Sequence, residues 1–334
     1  MHRRDLSWRR PGLPWNLREL GRRATRTRIA ATIILLALAA CTSACGGDGR
    51  AIGADGKILA VGAENQYANV IAQVGGRYVR ATAIESNPNT DPHSFEASPS
   101  IAQTVADASL IVQNGLGYDT FMERIESASG GVGSNSSRKV IDVQKLLGLP
   151  DSTANPHLWY KPQTMPTVAK ALATDLSALA PAHAAYFQAN AVRFEQSLTP
   201  WHQALQQFAR QFPRTPVATT EPVGDYMLEA AGTVNMTPFP LQADIMNGLD
   251  PAPEDVTLQN GLFTGHRVKV FLYNQQVTDS LTQSFLEEAK RSGVPVVGVY
   301  ETMPTPGYDY QSWMLAEVHA LHRALAEKVS TEKL

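Results

Sequence analysis

The sequence predicts an α/β protein of two lobes, each with a parallel sheet flanked by helices, joined by one long linker helix. Short apolar runs of strand length alternate with segments of helical spacing, the pattern of parallel sheets covered on both faces. The alternation pauses between about Pro162 and Pro213 and then resumes. A chain of 334 residues also exceeds what one ordinary core requires.

In the first lobe, residues 57–63 form an apolar strand, followed by Glu64-Asn65-Gln66 and a helical segment over 67–74 that stops at Gly75-Gly76. A second strand covers 78–84, Ser98 and Pro99 supply the N-cap and first turn of a helix, and strands follow at 109–113 and 139–143. Residues 165–179 are helical, and Pro181 opens a second helix that runs to about Phe212. That helix is far longer than the usual eleven or twelve residues or so, as a spine between lobes would be. Pro200 inside it is expected to kink or loosen it. The second lobe repeats the alternation, with strands at 216–220, 268–273 and 294–300 and helices at 223–231, 281–291 and 310–328.

The chain starts outside this fold. Its first 28 residues carry nine arginines and lead into the apolar stretch 29–40, too short to span a bilayer comfortably, which reads as a signal peptide. Arginine pairs within it leave both general secretion and twin-arginine export open. Leu38-Ala39-Ala40-Cys41 matches a lipobox, in which Cys41 is lipidated and becomes the mature N-terminus; Cys45, after Thr42-Ser43-Ala44, is the poorer alternative. The expected organisation is signal peptide 1–40, lipidated tether 41–56, first lobe 57–180, linker helix 181–213 and second lobe 214–334. Losing residues 1–40 removes nine arginines, Asp5 and Glu19, leaving 20 basic against 29 acidic residues, a net charge of −9. An acidic exported protein is a poor nucleic-acid binder. The two cysteines sit in the tether, so the lobes have no thiols to offer a metal.

Two elements place an imidazole directly after a proline: Asp91-Pro92-His93 and Asn155-Pro156-His157. Proline restricts its own φ and that of the residue before it, so each ring stands on a stiff loop. A histidine held this way suits a borderline transition metal. Both loops follow strands of the first lobe, and ligands in parallel sheets bind beyond the carboxyl ends of strands. From the second lobe, Glu221 stands at a strand end before Pro222. It reads either as a ligand or as the N-cap of the next helix.

The runs Asn89 to Glu96, Ala106 to Gly115 and Asn155-Pro156-His157-Leu158-Trp159, in that order between a lipobox and a long helix, resemble the solute-binding lipoproteins of zinc and manganese ABC transporters, the cluster that includes the cell-adhesion lipoproteins. The resemblance covers essentially the whole mature chain. It implies a receptor, not an enzyme, that captures Zn2+ or Mn2+ as its transported ligand between the lobes. It would deliver the ion to a membrane permease with its ATPase, as a monomer anchored by lipid to the outer face of the bacterial cell membrane. It assigns His93 and His157 as ligands and places Glu221 on the third. The family's fourth ligand, an aspartate after a second-lobe strand, falls on Thr278, leaving Asp279, Glu64 or a water for that position. Two histidines and a glutamate are also a zinc-hydrolase set, but there is no H-E-x-x-H helix and no general base beside the ligands. Affinity order alone favours zinc over manganese, whereas the histidine-rich loop of many zinc-specific members is missing. His183, His202, His319 and His322 fall on helices as solvated or packed residues. The acidic stretch from Asp244 to Asp255 reads as a loop, and residues 130–137 as a flexible loop with no phosphate-cradle signature.

Overall fold

The computed structural model describes residues 53–89, 92, 95–128 and 138–334. The signal peptide, Cys41, Cys45, His93 and the loop at 130–137 lie outside the described residues.

The first sheet contains β1 (Ile58–Glu64), β2 (Val79–Glu85), β3 (Leu110–Gln113) and β4 (Lys139–Asp142), all parallel, in the order β2-β1-β3-β4. The second contains β5 (Pro216–Thr219), β6 (Val234–Asn235), β7 (Phe271–Asn274) and β8 (Val296–Val299), also parallel, in the order β6-β5-β7-β8. The two orders are the same, so each lobe has its topological switch beside its first strand. The central strands are buried along nearly their whole length, which is why they read as continuous apolar runs.

Helix α1 (Asn65–Gly75) starts directly after β1, α2 (Pro99–Asp107) is capped by Ser98, and α3 (Thr120–Ala128) and α4 (Val143–Leu146) follow β3 and β4. Gly62 makes the tight β1–α1 junction possible: a Cβ there would lie 2.3 Å from the Ala68 backbone nitrogen. Helix α5 (Thr164–Leu179) is the first of the inter-lobe helices.

The expected single linker helix is two helices, α6 (Ala184–Ser197) and α7 (Thr199–Gln211), after a short 3-10 turn at Pro181–His183. They part at Leu198, and Pro200 sits in the first turn of α7, where its missing N–H breaks no helical bond. The packing partners change at the break. Helix α6 lies on α5 and α1, whereas α7 lies on α8 (Asp225–Ala230) and the closing helix α12 (Tyr310–Ala326). The expected acidic loop is also helical in part: α9 (Phe239–Met246) contains Asp244, and α10 (Pro253–Thr264) has Glu254 and Asp255 in its first turn, favourable for the helix dipole. Helix α11 (Ser280–Arg291) precedes β8.

One hydrophobic core runs through both lobes. It joins Tyr67, Leu110 and Trp159 to Trp201, Leu272, Val297 and Trp313. Within it the Tyr310 hydroxyl donates to the Trp159 carbonyl at 2.6 Å, and the Tyr160 hydroxyl donates to the Tyr300 carbonyl at 3.0 Å. Above this core, the carboxyl ends of β1, β5, β7 and β8 bring Glu64, Glu221, Asn274 and Glu301 to the inner edges of the sheets.

Candidate metal centre

His157 is fully buried, its ring in edge-on contact with those of Tyr118 and Trp159, which also meet each other. Asn155 fixes its orientation. The Asn155 Oδ1 accepts from the His157 backbone N–H at 3.0 Å, while its Nδ2 donates to the Pro222 carbonyl at 2.7 Å, so the amide cannot be turned round. His157 Nδ1 lies 2.8 Å from that same Oδ1 and must carry the proton. In the neutral ring Nε2 is then the lone-pair nitrogen, the tautomer a metal requires.

His157 Nε2 faces Glu301 Oε2 at 3.3 Å, with both side chains sealed from solvent. A lone pair and a carboxylate oxygen at that distance call for a positive charge between them, either a proton or a metal ion. The Tyr118 hydroxyl donates to the same Oε2 at 2.8 Å. On the other side, Asn274 Nδ2 donates to Glu301 Oε1 at 2.7 Å and to Glu221 Oε1 at 3.1 Å. One imidazole and two carboxylates from opposite lobes thus belong to one buried network.

The Glu301 backbone is held from both lobes. Its N–H and that of Thr302 donate to Gln276 Oε1 at 2.7 and 2.9 Å, and Gln66 Nε2 donates to its carbonyl at 3.1 Å. Asn65 exchanges two hydrogen bonds with the Met303 backbone, each 2.8 Å.

Of the residues expected from sequence, the structure links His157 to Glu221 through Glu301 and Asn274. Glu221 does not cap the following helix, because Gly224 occupies the N-cap of α8. Asp279 is the N-cap of α11, accepting from the Thr282 N–H at 2.7 Å in a capping box, and its carboxylate is engaged there. Glu64 is fully buried with neither oxygen hydrogen-bonded. Burial first, then the charges of Asp119 and Glu85, holds its pKa well above the usual carboxylate range. Asp119 itself is pushed up to about 7 by burial, against the opposing pull of the Asn114 and Gly115 N–H groups. Glu301 and Asn274 were not expected. The signal for Glu301 was the one that marks Glu64 and Glu221, an acid at or just past the end of an apolar strand. Among the described residues, no three His, Cys, Asp or Glu side chains converge closely enough to hold an ion as they stand.

A two-lobed parallel α/β fold with a buried imidazole and carboxylates where the lobes meet is the architecture of a two-lobed binding receptor. Residues 61–324 match the family described as the zinc-uptake complex component A, periplasmic. The chain belongs to that family, whose members are transport components; a hydrolase reading has no support from it. It is 27% identical over 216 residues to the zinc-binding protein TroA of Treponema pallidum, an alignment covering 62% of this chain and 68% of TroA. It is 24% identical over 173 residues to the manganese-binding lipoprotein MntA of Halalkalibacterium halodurans, covering 51% of this chain and 56% of that protein. The fold is shared with FpvC of Pseudomonas aeruginosa, solved with Ni2+, at a TM-score of 0.65 and 20% identity over 83% of this chain and all of that one.

Proposed function

We propose that this chain is the extracytoplasmic receptor of an ABC importer that captures one divalent transition metal, Zn2+ or Mn2+, between its lobes and hands it to a membrane permease. The observation that carries this reading is the His157 Nε2 lone pair aimed at Glu301 Oε2 in a sealed site that also engages Glu221. The geometry supports Glu301 as the fourth ligand, in place of Asp279 or Glu64. His93 supplies a second imidazole, as its Pro-His loop suggests. Cys41 carries the lipid that keeps the receptor at the outer face of the membrane, and the receptor works as a monomer beside a permease and its ATPase. Among the described residues no helix is long and apolar enough to cross a membrane.

Native mass spectrometry of the mature protein with elemental analysis tests the reading. One zinc or manganese per chain is expected, and a protein that takes up neither contradicts it.

A further inference from the structure

Asn274 closes β7, is fully buried, and has no freedom to turn. Its Oδ1 accepts from the Gln276 N–H at 3.0 Å, and its own N–H donates to Thr220 Oγ1 at 3.0 Å. Its Nδ2 must therefore point the other way, where its two hydrogens go to Glu301 Oε1 at 2.7 Å and Glu221 Oε1 at 3.1 Å. Every polar atom of the side chain is used. One oxygen of each carboxylate is thus occupied by a neutral donor. Glu301 turns its other oxygen, Oε2, toward His157 Nε2 at 3.3 Å, where it also accepts from the Tyr118 hydroxyl at 2.8 Å.

We propose that Asn274 is a specificity-determining residue: by tethering one oxygen of both Glu221 and Glu301 to its own amide, it fixes the orientation of each carboxylate so that only the other oxygen is presented to the ion, and so favours zinc over manganese. The inference rests on the metal-capture reading above. Zinc is satisfied by about four ligands, nitrogen and oxygen included. Manganese prefers about six, mostly oxygens, and a carboxylate that chelates through both oxygens is the protein's way to supply them. Holding both carboxylates to one bond removes contacts that manganese uses and zinc does not need. An amide can do this without cancelling charge, since it donates two hydrogen bonds and leaves both carboxylates negative for the ion. Aspartate at this position has no hydrogens to donate and would repel them. Lysine would neutralise the site.

The test measures Zn2+ and Mn2+ affinities of the wild type, Asn274→Ala and Asn274→Ser by chelator competition, with urea unfolding of the metal-free proteins as the folding check. Freeing the carboxylate oxygens should lower the ratio of the manganese to the zinc dissociation constant by about tenfold or more. A ratio that stays within about threefold of wild type in a folded variant overturns the inference and leaves metal capture standing. A second measurement needs no variant. Manganese-loaded wild type in 17O-enriched water should show line broadening from about two or more bound waters, because one-bond carboxylates leave octahedral positions to solvent. A manganese ion with no bound water overturns the proposal. A wild type that binds neither metal overturns both the proposal and the capture reading.

Discussion

Replacing Glu317 with glutamine should abolish a large part of the stability this protein loses as pH rises. Glu317 is fully buried on α12, and its Oε1 accepts from Trp313 Nε1 at 3.1 Å and shares with the Tyr300 carbonyl the proton of the Tyr160 hydroxyl, 3.2 Å away. Its Oε2 has no hydrogen-bond partner. Burial raises its pKa from 4.5 to about 8, against the two hydrogen bonds, which pull it down. The unfolded chain ionises near the ordinary value, so the folded form binds the extra proton. The contribution of the neutral acid is complete below pH 4.5 and is lost as pH climbs toward 8. At about 1.4 kcal/mol per unit, the whole shift amounts to about 5 kcal/mol, of which roughly 3 has gone by pH 7. Glutamine keeps the accepting oxygen and cannot ionise. Urea unfolding of both proteins from pH 5 to 9 should give a stability difference that grows in the variant's favour by several kcal/mol, with unchanged m. The buried acids Asp119 and Asp225, raised to about 7 and about 6, give slopes of the same sign in both proteins and cancel in the difference. Parallel pH profiles for the two proteins would refute the reasoning.

Asn65→Ala removes the paired hydrogen bonds that tie the first lobe to Met303. It should cost about 1–3 kcal/mol of folding stability and speed metal loss to a chelator in stopped-flow measurements; an unchanged release rate contradicts a latch at that point. Cys41→Ala should release the protein from membranes or leave it uncleaved in cell fractionation, and the same result from Cys45→Ala alone would move the lipid to Cys45.

The parallel sheets were legible because their central strands, such as β1 and β7, are buried on both faces and read as uninterrupted apolar runs. The short edge strand β6 was not, since two residues carry no period. Helices α9 and α10 escaped notice because their apolar residues form no clear stripe among Asp244, Glu254 and Asp255. The linker helix was half legible: Pro200 announced a break, but only the change of packing partner from α5 to α12 explains why Ser197 and Thr199 belong to different helices. At the site, His157 was visible through its proline and Glu221 through its strand end. Glu301 carried the same strand-end signal as Glu221 and was passed over, whereas Asn274 lies in no recognisable motif. What joins them is a contact between strand ends that are neighbours in the sheet and 27 positions apart in the chain. Asp279 drew attention as the acid nearest the aligned aspartate, whereas Asp279 with Thr282 three residues on is a helix-start signal.

The claim that Glu301, with His157 and Glu221, holds the metal is tested most directly by zinc titration of Glu301→Gln beside Asp279→Asn and the parent. Glutamine keeps the size and the acceptor for Asn274 but removes the charge. Glu301→Gln should weaken zinc binding by about a hundredfold or more, equivalent to about 2.7 kcal/mol, with little change in metal-free stability. Asp279→Asn should bind like the parent. Parental affinity in Glu301→Gln, or loss of the metal in Asp279→Asn, would contradict the assignment.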